Sequence, residues 1–174
     1  MKTVKKTALA GLFSALSVVI LLLGSIIDVL DMSVAAIASF IVALILIELK
    51  GKYPWLVYAV VSVLSTILLP NKFGVLLYVC FFGWYPMLKF VLDSKLKNAA
   101  LRALCKFAAF ALGTASMLLL YVKLFSGVIF EEGQNLIALT VILSVLAFFV
   151  YDLALGRLLL LYCVKWRKYI EKYL

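Results

Sequence analysis

The chain has 174 residues, of which 67% are hydrophobic and only 14% are charged, and its formal net charge at pH 7 is +9. A soluble domain of this size cannot bury so much apolar surface, so the composition predicts an integral membrane protein. Histidine is absent, and the three cysteines are far apart in or beside apolar runs, which argues against a disulfide framework and a metal site. Basic residues occur in small groups at the ends of apolar segments, which indicates contact with membrane lipid and not with nucleic acid.

Six apolar segments each come close to the roughly twenty residues that cross the hydrocarbon of a bilayer. They predict an all-α polytopic membrane protein, a compact bundle of six transmembrane helices forming a single domain over residues 1–174. The predicted spans are 7–30, 32–49, 54–70, 73–92, 99–125 and 134–155. A basic tail over 157–174 either continues the last helix or lies in the inner membrane interface. The first apolar run is longer than the apolar region of a signal peptide, so we expect it to be the first span.

The distribution of Lys and Arg predicts the orientation of these spans. With six spans, fifteen of the seventeen basic residues fall on one side. Basic residues in short loops stay in the cytoplasm, so both termini are predicted to be cytoplasmic and the protein to lie in the cell membrane. The outer side carries two basic residues, Lys72 and Lys123, together with four acidic residues, Asp28, Asp31, Glu131 and Glu132.

The first predicted helix begins with small side chains spaced four residues apart. Thr7, Gly11 and Ala15 form one row, and Ala10 and Ser14 form its neighbour. Small residues at this spacing let helix backbones approach each other closely in lipid. Two interpretations are open at this point, namely packing within this bundle and a docking surface for another membrane protein.

Polar and aromatic residues near the predicted outer helix ends form the candidate binding site. If the helices form a ring, these groups converge around a cavity that takes a small polar molecule, with aromatic rings for stacking. Solvation of the loops and anchoring of the helix ends explain the same residues without a ligand. Lys72 and Lys123 are further candidates for binding an anionic group. The candidate substrate-binding residues are Asp28, Asp31, Asn71, Lys72, Phe73, Tyr78, Tyr121, Lys123 and Asn135.

Two features interrupt the apolar runs. The segment Phe81–Pro86 contains a glycine and a proline, and loss of the proline amide is expected to kink the fourth span there. Asp152 lies inside the sixth apolar run, where a carboxylate is costly unless it is paired or functional. Arg157, Lys89 or Lys106 are candidate partners for a structural ion pair, and a proton or ion relay is the alternative.

Enzymatic activity is not expected from this sequence. It contains no histidine, no metalloprotease motif, no nucleophile elbow and no glycine-rich phosphate loop. No cofactor is predicted. Active transport by this chain would therefore take its energy from a partner or from an ion gradient.

The architecture resembles the substrate-binding S-components of energy-coupling factor vitamin transporters, which are six-helix membrane proteins with both termini inside. The opening segment Lys5–Leu16 looks like their first helix, where a small-residue motif meets the transmembrane coupling subunit. Here Gly11 and Ala15 would supply the spacing, with Ala10 and Ser14 as a second row. The resemblance implies a binding subunit for uptake of a small vitamin-like molecule, energised by a separate module with cytoplasmic ATPases. The alternative is a multispan scaffold of cell-envelope or cell-shape machinery that does not transport.

Overall fold

The computed structural model describes residues 3–27, 31–49, 51–125 and 134–166. Every regular element in these ranges is helical, which confirms the all-α prediction for the described part of the chain. Two π-helical turns, Tyr78–Phe82 and Tyr162–Trp166, accompany the α-helices. The helices are α1 Thr3–Ile26, α2 Asp31–Glu48, α3 Tyr53–Leu68, α4 Lys72–Leu77, α5 Tyr85–Lys95, α6 Ala99–Phe125 and α7 Gln134–Leu161.

Among the residues that the structure describes, five helical segments are long and apolar enough to cross a membrane. The fourth of the predicted spans corresponds to α4, the first π turn and α5 taken together, over Lys72–Lys95. The helix α3 has 16 residues and therefore measures about 24 Å, somewhat short of the roughly 30 Å of hydrocarbon. Helical structure in the last segment continues past residue 155 through Trp166, into the basic tail.

Contacts divide the chain into two units, Met1–Tyr121 and Val122–Leu174, and α2 lies at the centre of the first. It packs against α1, α3, α4, the first π turn and α5. Its sequence is apolar on all sides, as expected for a helix that neighbours surround. Consecutive buried residues such as Ile41, Val42 and Ala43 show that more than one of its faces is covered.

The helix α1 packs against α2 and α3 through one face. Its buried positions follow helical spacing, beginning with Ala10, Ser14 and Ser17. The hydroxyl groups of the two serines donate to backbone carbonyls one turn earlier in α1, so their burial leaves no donor unpaired. Near its end, a Cβ atom at Gly24 would lie 2.7 Å from the side chain of Val34, which shows how closely α1 approaches α2.

The helix α3 contributes a single buried stripe. Pro54 occupies its first turn, where the missing amide has no helical partner to lose. Pro54, Val57, Val61 and Ser65 are buried, whereas most other faces of the helix carry exposed apolar side chains. Such a helix is suited to packing on one side and contacting lipid on the other.

Candidate functional site: a polar cluster at the ends of four helices

Asn71 joins the ends of several helices at the predicted outer side. Pro70 follows the end of α3, and the residue before it, Leu69, is extended, as expected before a proline. Asn71 is the N-cap of α4, and its Oδ1 accepts a hydrogen bond of 2.9 Å from the Phe73 amide. Its own backbone amide donates to the hydroxyl of Ser25, at the end of α1, over 3.1 Å. One short connection therefore ties α1 to α4.

Asp31 brings α2 into the same cluster. The side-chain amide of Asn71 donates to Oδ2 of Asp31 over 3.1 Å. Asp31 is only 7% exposed, although it is the first residue of α2. A Cβ atom at Gly74 would lie 2.8 Å from Oδ1 of this carboxylate, so a glycine is what allows α4 to pack against it. Ser25, Asp31, Asn71 and Gly74 form what we call the outer cluster.

Lys72, the residue next to Asn71, caps the preceding helix. Its ammonium group donates to the carbonyl of Leu69 over 2.6 Å and to that of Thr66 over 2.8 Å. These carbonyls lie at the end of α3, where the helix dipole is negative and the last carbonyls have no helical donors. Helix capping therefore accounts for this lysine without a bound anion.

The outer cluster contains a carboxylate, an amide and a hydroxyl group, and Asn71 hydrogen-bonds to the other two residues. Such groups bind hydrogen-bond donors and cations, and the carboxylate strengthens either contact. No group of three or more Cys, Asp or Glu residues able to hold a metal ion occurs among the described residues.

The remaining predicted binding residues are spread more widely. Phe73 is 42% exposed and follows the outer cluster residue Asn71 by two positions. Tyr78 is fully buried deeper in the span, with its ring 6.2 Å from that of Tyr58. Lys123 is exposed on α6, in the second unit. Asp28 and the side chains of Tyr121 and Asn135 lie outside the described part of the structure.

The two small-residue rows of α1 have different surroundings. Ala10 and Ser14 are buried within the face that packs on α2 and α3. Thr7, Gly11 and Ala15 are exposed, and a Cβ atom at Gly11 would meet nothing within 4 Å. We call Thr7, Gly11 and Ala15 the α1 stripe. The first unit uses one row for its own packing and leaves the other open.

A further feature, which sequence reasoning found only as a kink, is the aromatic π turn between α4 and α5. The Gly83 amide donates to the carbonyl of Tyr78, five residues earlier, over 2.7 Å. This register leaves the next carbonyls without their usual helical donors. The hydroxyl of Tyr58 donates to the Val79 carbonyl over 2.9 Å, and the indole of Trp84 donates to the Cys80 carbonyl over 2.8 Å. Side chains thus satisfy the interrupted backbone.

Comparison of the chain with protein-family models, with curated proteins and with solved structures finds no match. The described residues define the class of the protein by their fold alone, as an all-helical protein with several apolar helices of membrane-spanning length.

Proposed function

We propose that this chain is the substrate-binding subunit of a transporter in the cell membrane, with both termini in the cytoplasm. It binds a small polar, vitamin-like molecule near the outer cluster. A separate transmembrane subunit, coupled to cytoplasmic ATPases, docks on the α1 stripe and supplies the energy. The observation that carries this proposal is the open α1 stripe beside a buried row of the same residue type.

The exposure of Gly11 supports a partner more than it supports lipid contact. A helix that faces only lipid gains nothing from small residues, whereas helix association in lipid depends on close backbone approach. The neighbouring exposed positions on α1 carry large apolar side chains, for example Leu12 and Leu16. The stripe is therefore a shallow groove bordered by leucines, and a partner helix fits such a surface.

The outer cluster supports a ligand with hydrogen-bond donors. Asp31 is a carboxylate at the boundary of two apolar helices, and Asn71 and Ser25 place further polar atoms beside it. Asp31 is buried, and a buried carboxylate is costly unless other groups pair with it. A ligand bound there would exchange its own donors for those that now contact the carboxylate.

Gly11→Leu tests the docking part of the proposal. In protein purified from its native membrane in mild detergent, this variant should retain about tenfold less of an ATPase-coupled membrane subunit, a change of about 1.4 kcal/mol. The chain itself has room for the new side chain. Ala108→Leu is the matched control, because it places the same leucine side chain at an exposed alanine of α6. Equal losses in both variants would contradict docking on the α1 stripe.

Asp31→Asn tests the ligand part independently. Native mass spectrometry of the purified protein should show a retained small molecule whose occupancy falls at least about fivefold in this variant, because a charge-assisted contact is lost. Retention of the ATPase-coupled subunit should not change. Gly11→Leu should show the opposite pattern, with the ligand kept and the subunit lost. Absence of any ligand from the wild-type protein would contradict this part.

The second candidate function is a membrane scaffold that does not transport. The observation that favours it is the mutual satisfaction of the outer groups, since Asn71 contacts Asp31 and Lys72 caps α3. On this proposal the cluster holds helix ends together, and the α1 stripe binds a structural partner. Purification of a partner without ATPase subunits and without a small molecule would favour the scaffold.

A further inference from the structure

The turn between α5 and α6 concentrates positive charge at one end of two consecutive spans. Five basic residues and one acidic residue lie within residues 89–106. The span Lys72–Lys95 ends at the last residue of α5, and the span Ala99–Leu120 begins four residues later. If both segments cross the bilayer, this turn lies where the helices leave the hydrocarbon. The basic residues are Lys89, Lys95, Lys97, Arg102 and Lys106, and the acidic residue is Asp93.

Asp93 organises part of this cluster but cannot neutralise it. Its Oδ1 lies 2.9 Å from Nζ of Lys106 and 3.5 Å from Nε of Arg102. One carboxylate thus serves two cations from the first turns of α6. Exposed Lys95 and Lys97 flank the pair and have no described partner in the ranges that the structure covers. Positive charge therefore remains at this site.

Arg102 is placed to bind an oxyanion. Its ion pair with Asp93 uses Nε, and the two terminal nitrogens have no partner within the described part of the chain. The side chain is 39% exposed, so these nitrogens are open to a ligand. A guanidinium group presents its donors in a planar fork that matches phosphate oxygens, and it remains charged at all working pH values.

Apolar side chains continue from the basic cluster along both helices. Phe90 and Val91 on α5 and Leu101 and Leu104 on α6 are all exposed. A free phosphate ion has no apolar part that could contact this surface. A phospholipid has one, because its acyl chains lie against apolar side chains while its phosphate contacts the basic groups at the helix ends.

We propose that the α5–α6 turn binds one anionic phospholipid. Its phosphate is held by Arg102, with Lys95 and Lys97 beside it, and its acyl chains lie against the exposed apolar residues of α5 and α6. Asp93 is a positioning residue, since it fixes Arg102 through Nε and leaves the other nitrogens for the lipid. The proposal depends on both helices crossing the bilayer and not on the transport function.

Native mass spectrometry of the full-length protein with added lipid tests this site. Phosphatidylglycerol should be retained at one molecule per protein, in preference to phosphatidylcholine, whose headgroup carries a compensating positive charge. The double variant Lys97→Gln, Arg102→Gln should reduce that occupancy about tenfold. The matched control Lys5→Gln, Lys52→Gln removes two charges from other exposed positions and should leave occupancy unchanged.

Three results would overturn the proposal. An equal loss of bound lipid in the two double variants would show that general surface charge attracts the lipid. Equal retention of the two lipids would show that the anionic headgroup is not recognised. Displacement of the lipid by excess glycerol 3-phosphate would show a site for free phosphate esters. Should the Arg102 variant fail to fold, Lys95→Gln, Lys97→Gln breaks no described ion pair and must itself lower retention.

Discussion

Asn71→Ala is expected to lower the free energy of unfolding by about 2.5–4 kcal/mol. The substitution removes the N-cap acceptor for the Phe73 amide and the donor to the buried carboxylate of Asp31. Loss of a cap costs about 1 kcal/mol, and loss of a hydrogen bond to a buried charged group costs about 1.5–3 kcal/mol. The backbone contact with Ser25 survives, because it uses the Asn71 amide.

Denaturant titration in detergent micelles, followed by circular dichroism, measures this loss. Asn98→Ala is the matched control, because Asn98 also accepts from the amide two residues on, at the start of α6, and is exposed. It should cost about 1 kcal/mol or less, the value of a cap alone. Equal costs for the two variants would show that the contact between Asn71 and Asp31 contributes nothing to stability.

The outer cluster connects this stability to the proposed function. Asn71 contacts α1, α2 and α4 at once, so a ligand that displaces its side chain from Asp31 changes what holds three helix ends together. Binding and the packing of the outer helix ends are then coupled, because both use the same carboxylate.

The helices themselves were largely predictable from the sequence because long apolar runs leave few alternatives in lipid. The residues at which the helices end were less predictable, as the first helix shows. The predicted span reaches residue 30, whereas α1 ends at Ile26. Ser25 takes part in the bond with Asn71, 46 residues later, and this contact depends on how the helices pack and not on local hydrophobicity.

Which small-residue row of α1 is covered could not be predicted from the sequence. Both rows have the right composition and spacing for close packing. The choice depends on where α2 and α3 lie around α1, and the structure buries Ala10 and Ser14 while it leaves Gly11 exposed. Packing within the bundle therefore explains the buried row, and docking stays a proposal for the exposed row.

The role of Lys72 could not be predicted from the distribution of charge along the sequence. As an exception to the charge distribution it suggested a site for an anion. The structure places its ammonium group against two carbonyls at the end of α3. Those carbonyls belong to residues three and six positions earlier, so the partners of Lys72 are close in sequence. Predicting this contact requires the position at which α3 ends, before Pro70.

The aromatic π turn was partly predictable. Gly83 and Pro86 indicated an interruption of the fourth span, and the structure interrupts the helix there. The groups that compensate for it were not predictable, because Tyr58 lies 21 residues before Val79, on another helix. Only the packing of α3 near the π turn brings its hydroxyl to the free carbonyl.

Gly83→Ala is expected to destabilise the protein by about 1–3 kcal/mol, the usual cost of overpacking a filled site. A Cβ atom at this position would lie 2.5 Å from Cδ2 and 2.6 Å from Cε2 of the Tyr58 ring, and 3.0 Å from the Tyr78 carbonyl oxygen. The ring cannot move away freely, because its hydroxyl is bonded to the Val79 carbonyl.

Gly11→Ala is the matched control for the same change. Gly11 is also helical, but an added Cβ meets nothing within 4 Å. Alanine has the higher helix propensity by about 1 kcal/mol, so this variant should be neutral or slightly more stable in the isolated protein. Denaturant titration of both variants in the same detergent separates a steric clash from a general effect of replacing glycine.

A double-mutant cycle identifies the Tyr58 ring as the cause of the clash. In a Tyr58→Leu background the ring atoms nearest to the added Cβ are absent, so Gly83→Ala should cost at least about 1 kcal/mol less than in the wild-type background. Tyr58→Leu alone should also destabilise, because it leaves the Val79 carbonyl without its donor. Additive costs would mean that the two residues do not interact. The π turn would then depend on some contact other than the close approach of α3 at Gly83.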